Sequence, residues 1–389
     1  NGDNDTFPLW YNQETEGVRT DARVCNLSYL QTDWYIDQMR RPAYDSPSLP
    51  ISWTRLQYVT GTREGIPVQP DALQQVIDYY KDSPEDLKQM LGDNPYELKN
   101  IIRHWVLNDN PDLQIFPTDS IVVTVDKEAV KRSGMMIAAD SIPDVMHISL
   151  KGKRAIYKSE MMMLEMISQA NWERPLYMST TVGPDNYGHL GDNFVQEGLA
   201  CRITPFDTKQ SGRTIDSERM YNNMMNKFKY GGLKENPDIY LDETVIRMCY
   251  THRRLFNQLA QQLLKEGQKD KALKVLQRAE EEIPGSIVPH EAFYGHSLEL
   301  ADAWLALGHK AEAEKLLNAV GQNAREYIEW YLSLNTQRLL QSSRECLMQI
   351  YILNDIAKTW EPIDKKKAET YRMEVNNYAS RCHQRGMSL

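Results

Sequence analysis

The chain has 389 residues, 41% of them hydrophobic and 25% charged, which makes it globular rather than disordered and too long for one ordinary core. Its net charge of −9 argues against a nucleic-acid surface, which needs clustered lysine and arginine. No apolar run approaches the ~20 residues needed to cross a bilayer, so a soluble chain without a signal peptide is expected; the nearest run, Met161 to Ile167, is interrupted by Glu165.

In chain order, Asn1 to Asp5 reads as a polar loop. A helix follows, with Thr6 placed to cap it, Pro8 near its first turn and Gly17 ending it. Ala22 to Tyr29 alternates as a strand, with Val24, Asn26 and Ser28 on one side and Cys25, Leu27 and Tyr29 on the other. Loop, helix and strand are the second half of a βαβ unit whose first strand is missing. With no initiating Met, this implies a piece of a longer protein, cut just upstream of Asn1.

A proline-punctuated, loop-rich stretch runs to Pro70. Helices are predicted over 70–81, 83–91 and 95–107, with Leu73, Val76, Ile77 and Tyr80 marking the first at helical spacing. Strands are predicted over 120–125, 145–150, 176–181 and 199–205, and 155–157 as an extension of the sheet. Lys158 to Asn171 reads as an amphipathic helix in which Met161-Met162-Met163 is core packing. Helix followed by strand repeats the opening order, which predicts a Rossmann-like α/β domain over 1–235 with a mostly parallel sheet and a truncated first strand.

A helix over 217–230 precedes the boundary, placed at about 235, where Gly231-Gly232 and Asn236-Pro237 cluster. Residues 236–389 read as all-α. Ala260 and Ala301, Gly267 and Gly308, Ala272 and Ala313, and Leu276 and Leu317 are each 41 positions apart. Each glycine is placed to end the first helix of a pair in the left-handed conformation. The pattern resembles tetratricopeptide repeats, whose usual period is ~34. The extra length is assigned to the Ile283-Pro284-Gly285 connector and the helix after it. Helices over 324–356, continuous or broken, and over 364–385 would cap the stack.

Five cysteines, at 25, 201, 249, 346 and 382, are odd in number and form no CxxC pair. This excludes a zinc ribbon or a thioredoxin-like motif, and nothing in their spacing indicates a disulfide. There is no HExxH, GxSxG, GxxxxGK[ST] or GxGxxG. Nucleotide hydrolysis and triad catalysis are therefore not indicated.

Asp3 and Asp5, with Asn4 between them, are the candidate ligand-binding residues. On the expected fold they lie past the end of the first strand, with Asn26, Ser28 and Asp33 ending the next one, where α/β sheets bind ligands. Such a group suits a sugar or a divalent cation. The competing reading is structural, because Asp and Asn before a helix cap it and favour the positive end of its dipole. Trp34, beside Asp33, offers an aromatic face for a pyranose ring; Trp10 is better explained as core. His189 and Asp192 in the Gly188–Asn193 loop are a weaker acid–base or metal pair than a solvent loop.

Three stretches carry a family resemblance: Asn1-Gly-Asp-Asn-Asp-Thr-Phe-Pro-Leu-Trp-Tyr11, Gly17-Val-Arg-Thr-Asp-Ala-Arg-Val-Cys-Asn-Leu-Ser28 and Thr32-Asp-Trp-Tyr-Ile36. They resemble the start of the soluble C-terminal region in bacterial membrane proteins similar to protein O-mannosyltransferases, the polytopic GT-C type glycosyltransferases. The resemblance is dense over 36 residues, looser to about Thr204, and architectural in the helical tail. It implies a parent that moves a sugar from a lipid-linked donor to a protein or glycan acceptor at the outer face of the membrane. The catalytic acid of such enzymes lies in an early loop between membrane helices, so no catalytic residue is carried onto this chain. The expected partners are the membrane-embedded part of the same polypeptide and an acceptor protein or peptide. The expected setting is periplasmic.

Overall fold

The computed structural model describes residues 2–387. Asn1, where the polar loop was to begin, lies outside the described residues. The chain divides into two compact units, Asn1–Asp216 and Ser217–Leu389.

In the first unit, α1 (Asp3–Glu16) begins directly after Gly2, which is its N-cap. Asp3, Asn4 and Asp5 therefore occupy the first helical turn, not a loop, and Thr6 is buried inside the helix rather than capping it. Gly17 ends α1 at φ 62°, as its position implied, and the N–H of Val18 returns to the Asn12 carbonyl at 3.0 Å.

Residues 22–29 are not a strand. Side chains, not a neighbouring strand, take up the polar groups of this backbone. Gln13 Nε2 donates to the carbonyls of Arg19 (2.9 Å) and Ala22 (2.8 Å). The N–H of Asn26 donates to the Tyr35 hydroxyl at 2.8 Å. Tyr35 itself is buried in α2 (Asp33–Met39). Alternating side chains are thus compatible with an extended segment that has no ladder to join.

The expected parallel, Rossmann-like sheet is likewise replaced by three small antiparallel ones. β1 (Gly65–Pro67) precedes α3 (Ala72–Tyr79), α4 (Pro84–Leu91) and α5 (Leu98–Ile101), which widens into a π-turn over Ile102–Val106. β2 (Ser120–Thr124) is followed by α6 (Lys127–Arg132), β3 (Val145–Ser149), β4 (Ala155–Tyr157) and α7 (Lys158–Ala170). β5 (Tyr177–Ser179), β6 (Phe194–Gln196) and β7 (Ala200–Ile203) complete the unit. β1 pairs with β4, β2 with β3, and β7 lies between β5 and β6, antiparallel throughout. The strands are three to five residues long, too short to form a layer covered by helices on both faces.

The core is centred on α7, where Met161, Met162, Met163 and Leu164 are all buried. Trp53, Tyr35 and Ile36 belong to the same cluster. Glu165, fully buried in α7, accepts from the Ser52 N–H (2.8 Å) and hydroxyl (2.7 Å), which ties the proline-rich segment to this helix.

The second unit is helical. α8 (Ser217–Asn222) precedes α9 (Glu243–Lys265), α10 (Lys269–Glu282), α11 (Ser297–Ala306) and α12 (Lys310–Ser333). α13 (Thr336–Gln341), α14 (Ser343–Trp360) and α15 (Lys365–Gln384) follow. α9 packs on α10, α11 on α12, and α14 on α15. Gly267 and Gly308 make the turns inside the first two pairs at φ 75° and 81°. The stretch expected to be helical over 324–356, continuous or broken, is divided among α12, α13 and α14, with Asn335 capping α13 through the Arg338 N–H.

In the connector between α10 and α11, one buried side chain takes three carbonyls. Buried Arg253 on α9 donates to the carbonyls of Ile283 (2.9 Å), Val288 (2.8 Å) and Pro289 (3.1 Å). Gly285 lets the His290 ring pack close against the connector backbone, since an added Cβ would lie 2.4 Å from His290 Nε2. His290 sits in that connector and His296 caps α11, so the two do not share a helix.

Candidate functional site

The predicted site residues divide between two places in the N-terminal unit. The first is the opening turn of α1. Asp3 Oδ1 accepts a hydrogen bond from the Tyr29 hydroxyl at 2.9 Å. Asp5 Oδ2 accepts from the Thr181 hydroxyl at 2.9 Å, and Thr181 shares a 2.8 Å hydrogen bond with Ser179. Asn4 is exposed on the same turn.

Asn26 lies beneath this turn and is buried. Its Nδ2 donates to Thr6 Oγ1 at 2.9 Å, and its Oδ1 accepts from the Ser28 N–H at 2.9 Å. Asn26 therefore holds the loop against α1 rather than facing solvent.

Trp34 is 52% exposed and meets Tyr29 at 5.8 Å and Tyr35 at 5.5 Å between ring centroids. Tyr29 thus links the Asp3 carboxylate to the Trp34 ring. Asp3 holds the Tyr29 phenol above its ordinary pKa, chiefly by accepting its hydrogen bond. The result is an exposed aromatic face flanked by a carboxylate, a set of groups suited to hydrogen-bonding a polyol while packing its C–H face. Tyr29 and Thr181 were not among the predicted residues. Tyr29 was assigned to a strand, and Thr181 is far away in sequence.

Asp33 belongs to the second place. Its Oδ2 lies 3.5 Å from the Arg55 guanidinium and from the Thr60 N–H. Asp37 pairs with Arg55 and accepts from the Tyr58 hydroxyl at 2.6 Å. Nearby, Glu64 accepts from Lys158 Nζ at 2.6 Å and from the Gly61 N–H at 2.8 Å. Lys158 is 1% exposed and is the first residue of α7, the positive end of that helix. A counter-charge is needed there, and Glu64 provides it. The lysine in turn lowers the Glu64 pKa, through their hydrogen bond first.

Glu64 also lines an open polar groove of about 470 Å³, with Gly61, Arg63, Gln69, Asp112 and Gln114. Arg63 spans its wall, donating to the carbonyls of Val106 (2.8 Å) and Asn108 (3.3 Å). Lys158 showed in the sequence only as the start of a helix, and its partner is 94 positions away.

In the Gly188–Asn193 loop, His189 lies near Lys153 and Glu160, and burial lowers its pKa. The Asp192 carbonyl takes the Thr208 hydroxyl at 2.8 Å. Among the described residues no group of three or more His, Cys, Asp or Glu is arranged to hold a metal ion.

The family model described as TMEM260-associated domain 2 matches residues 1–223. The chain belongs to this family. TMEM260 is a protein O-mannosyltransferase-like membrane protein, which agrees with the resemblance carried by the opening residues. The TMEM260-associated domain 2 match contains every candidate residue above and ends within the first helices of the second unit. No curated protein matches the chain, and no solved structure does. Among the described residues no helix is long and apolar enough to cross a membrane.

Proposed function

We propose that this chain is the soluble, extracytoplasmic region of a membrane glycosyltransferase-like protein, and that it positions acceptor or partner proteins rather than catalysing transfer itself. The TMEM260-associated domain 2 match over residues 1–223 is the observation that carries this reading. The family domain sits beside the membrane module of the same polypeptide, and the paired helices after it act as a tetratricopeptide-like docking surface. Tyr327 and Trp330, exposed on α12, supply aromatic contacts for an extended acceptor.

The test uses the full-length parent. Tyr327→Ala with Trp330→Ala raises KM for the protein acceptor and leaves kcat within about twofold. In spheroplasts stripped of any outer membrane, externally added protease removes the helical unit. An unchanged KM rejects the docking role. A helical unit protected until the cytoplasmic membrane is opened rejects the placement.

The Tyr29–Asp3–Trp34 arrangement favours a second reading, in which the N-terminal unit binds a sugar. Saturation-transfer NMR with free mannose as probe reports it: ring protons receive saturation in the native chain and lose it in Trp34→Ala. A divalent cation held by Asp3 and Asp5 is the alternative occupant. It is revealed by Mn²⁺ broadening of resonances at the start of α1 that Asp3→Asn with Asp5→Asn abolishes.

A further inference from the structure

α14 and α15 are consecutive and antiparallel, so the start of one lies against the end of the other. Cys346 stands in the first turn of α14 and Cys382 in the last turn of α15. Both are fully buried, and their Sγ atoms are 4.0 Å apart. We propose that Cys346 and Cys382 are a disulfide-forming pair that staples the open end of this terminal helical hairpin. Which cysteines are placed to pair is a property of the hairpin, and the bond persists where the compartment is oxidising.

The geometry needs little change. A disulfide requires the sulfurs to close to about 2.05 Å, an approach of about 2 Å that two side chains on facing helices can share. The bond would link residues 36 apart in sequence. It would hold together the two helix ends that the 361–364 turn does not.

The chemistry is exchange with a donor disulfide, either a small one such as oxidised glutathione or that of a thiol–disulfide oxidoreductase. One cysteine thiolate attacks the donor and forms a mixed disulfide, releasing the first donor thiolate. The second cysteine thiolate displaces the remaining donor sulfur. Two S–H bonds of the chain are exchanged for one S–S bond, the donor S–S becomes two thiols, and the two protons leave with them.

Burial also sets when this happens. It pushes the Cys346 thiol up to about 12 and raises that of Cys382, so neither is a ready nucleophile once the helices are docked. The bond therefore forms while α15 is still open, and docking then shields it from reductants.

The test takes the full chain, refolds it from denaturant in a glutathione redox buffer, alkylates free thiols and maps peptides without reduction. The expected product links the peptides of Cys346 and Cys382 and leaves Cys25, Cys201 and Cys249 alkylated. The oxidised chain should show slower hydrogen exchange at the end of α15 and a melting midpoint several degrees above that of the reduced chain. Cys382→Ala, a small apolar replacement, should keep the helical circular dichroism and lose both the link and the redox difference. Recovery of Cys346 and Cys382 as free alkylated thiols, or joined to other cysteines, overturns the proposal. So does a redox-dependent midpoint that persists in Cys346→Ala with Cys382→Ala.

Discussion

The two units are built by different means. In the helical unit, long amphipathic helices bury one face each, and two glycines at equivalent places turn the chain. In the N-terminal unit the strands are three to five residues long, and polar side chains do much of the work of a ladder. Gln13 and Glu165 satisfy backbone groups outside their own elements, and Asn26 takes a backbone N–H of its own loop while bonding Thr6 on α1. Where repetitive backbone bonding is lacking, the fold depends on individual side chains. In the helical unit Arg253 does this for the 283–296 connector, and Arg385 for the carbonyls of Leu332 and Leu334.

Arg253 gives the largest expected effect, since it is the fully buried one of the two. Arg253→Met removes three charge-assisted bonds to carbonyls and leaves those of Ile283 and Val288 buried. A loss of about 3 kcal/mol is expected. Since the chain has two units and two-state behaviour is not assured, hydrogen exchange should be read segment by segment. Protection should fall in α9, α10 and the connector, with the N-terminal unit unchanged. A uniform loss across both units would mean that the two do not fold on separate footings.

Asn26→Ala is the matching substitution in the first unit. It removes the buried bond to Thr6 Oγ1 and the partly buried one from the Ser28 N–H. A cost of about 2 kcal/mol is expected, with exchange speeding up in α1 and residues 22–29. If the change is no larger than that of an exposed substitution such as Asn4→Ala, the claim that side chains replace a ladder here is wrong.

The same contrast explains how much was legible in the sequence. Helical periodicity is local, so α7 and the paired helices of the second unit stand close to where the apolar spacing put them. The turning roles of Gly17, Gly267 and Gly308 were also visible. Strand positions were readable at 120–125 and 145–150, but their antiparallel sense was not, because period-two alternation is the same in either direction. Residues 22–29 show the cost of that ambiguity: the alternation is present, the partner strand is not. At the candidate site, only the nearness of Asp3 and Asp5, which share one helical turn, was readable, because one residue separates them. Thr181, Tyr29's role as the link, and the Glu64–Lys158 pair were not, since each depends on tertiary placement.

Glycine at the helix turns should have a smaller and equal effect. At both Gly267 and Gly308 a Cβ would meet nothing within 4 Å, so only the left-handed backbone is penalised. Gly267→Ala and Gly308→Ala should each cost about 1 kcal/mol, measured by urea denaturation of the full chain. Clearly unequal values would show that the two turns are not structurally equivalent, and would weaken the repeat reading.

The smallest effect concerns pH and the Glu64–Lys158 pair. The Glu64 carboxyl has a folded pKa below its ordinary value, chiefly through the Lys158 hydrogen bond. A depressed carboxylate stabilises the folded state above its unfolded pKa, and that contribution is lost as pH falls through the folded value. The N-terminal unit should therefore lose a little stability on acidification below the usual carboxylate range. Glu64 is about half exposed, so solvent screens the pair and the change is slight. Lys158→Met keeps the volume and the burial and removes the charge. The acid-induced loss should then shrink, while stability near neutrality stays close to that of the native chain, because a buried cation is exchanged for an apolar side chain of similar length. An acid slope identical in the two proteins would mean that Glu64 is not held by Lys158. A collapse of the variant at neutral pH would mean that the ammonium has a second role, within the polar groove that Glu64 lines.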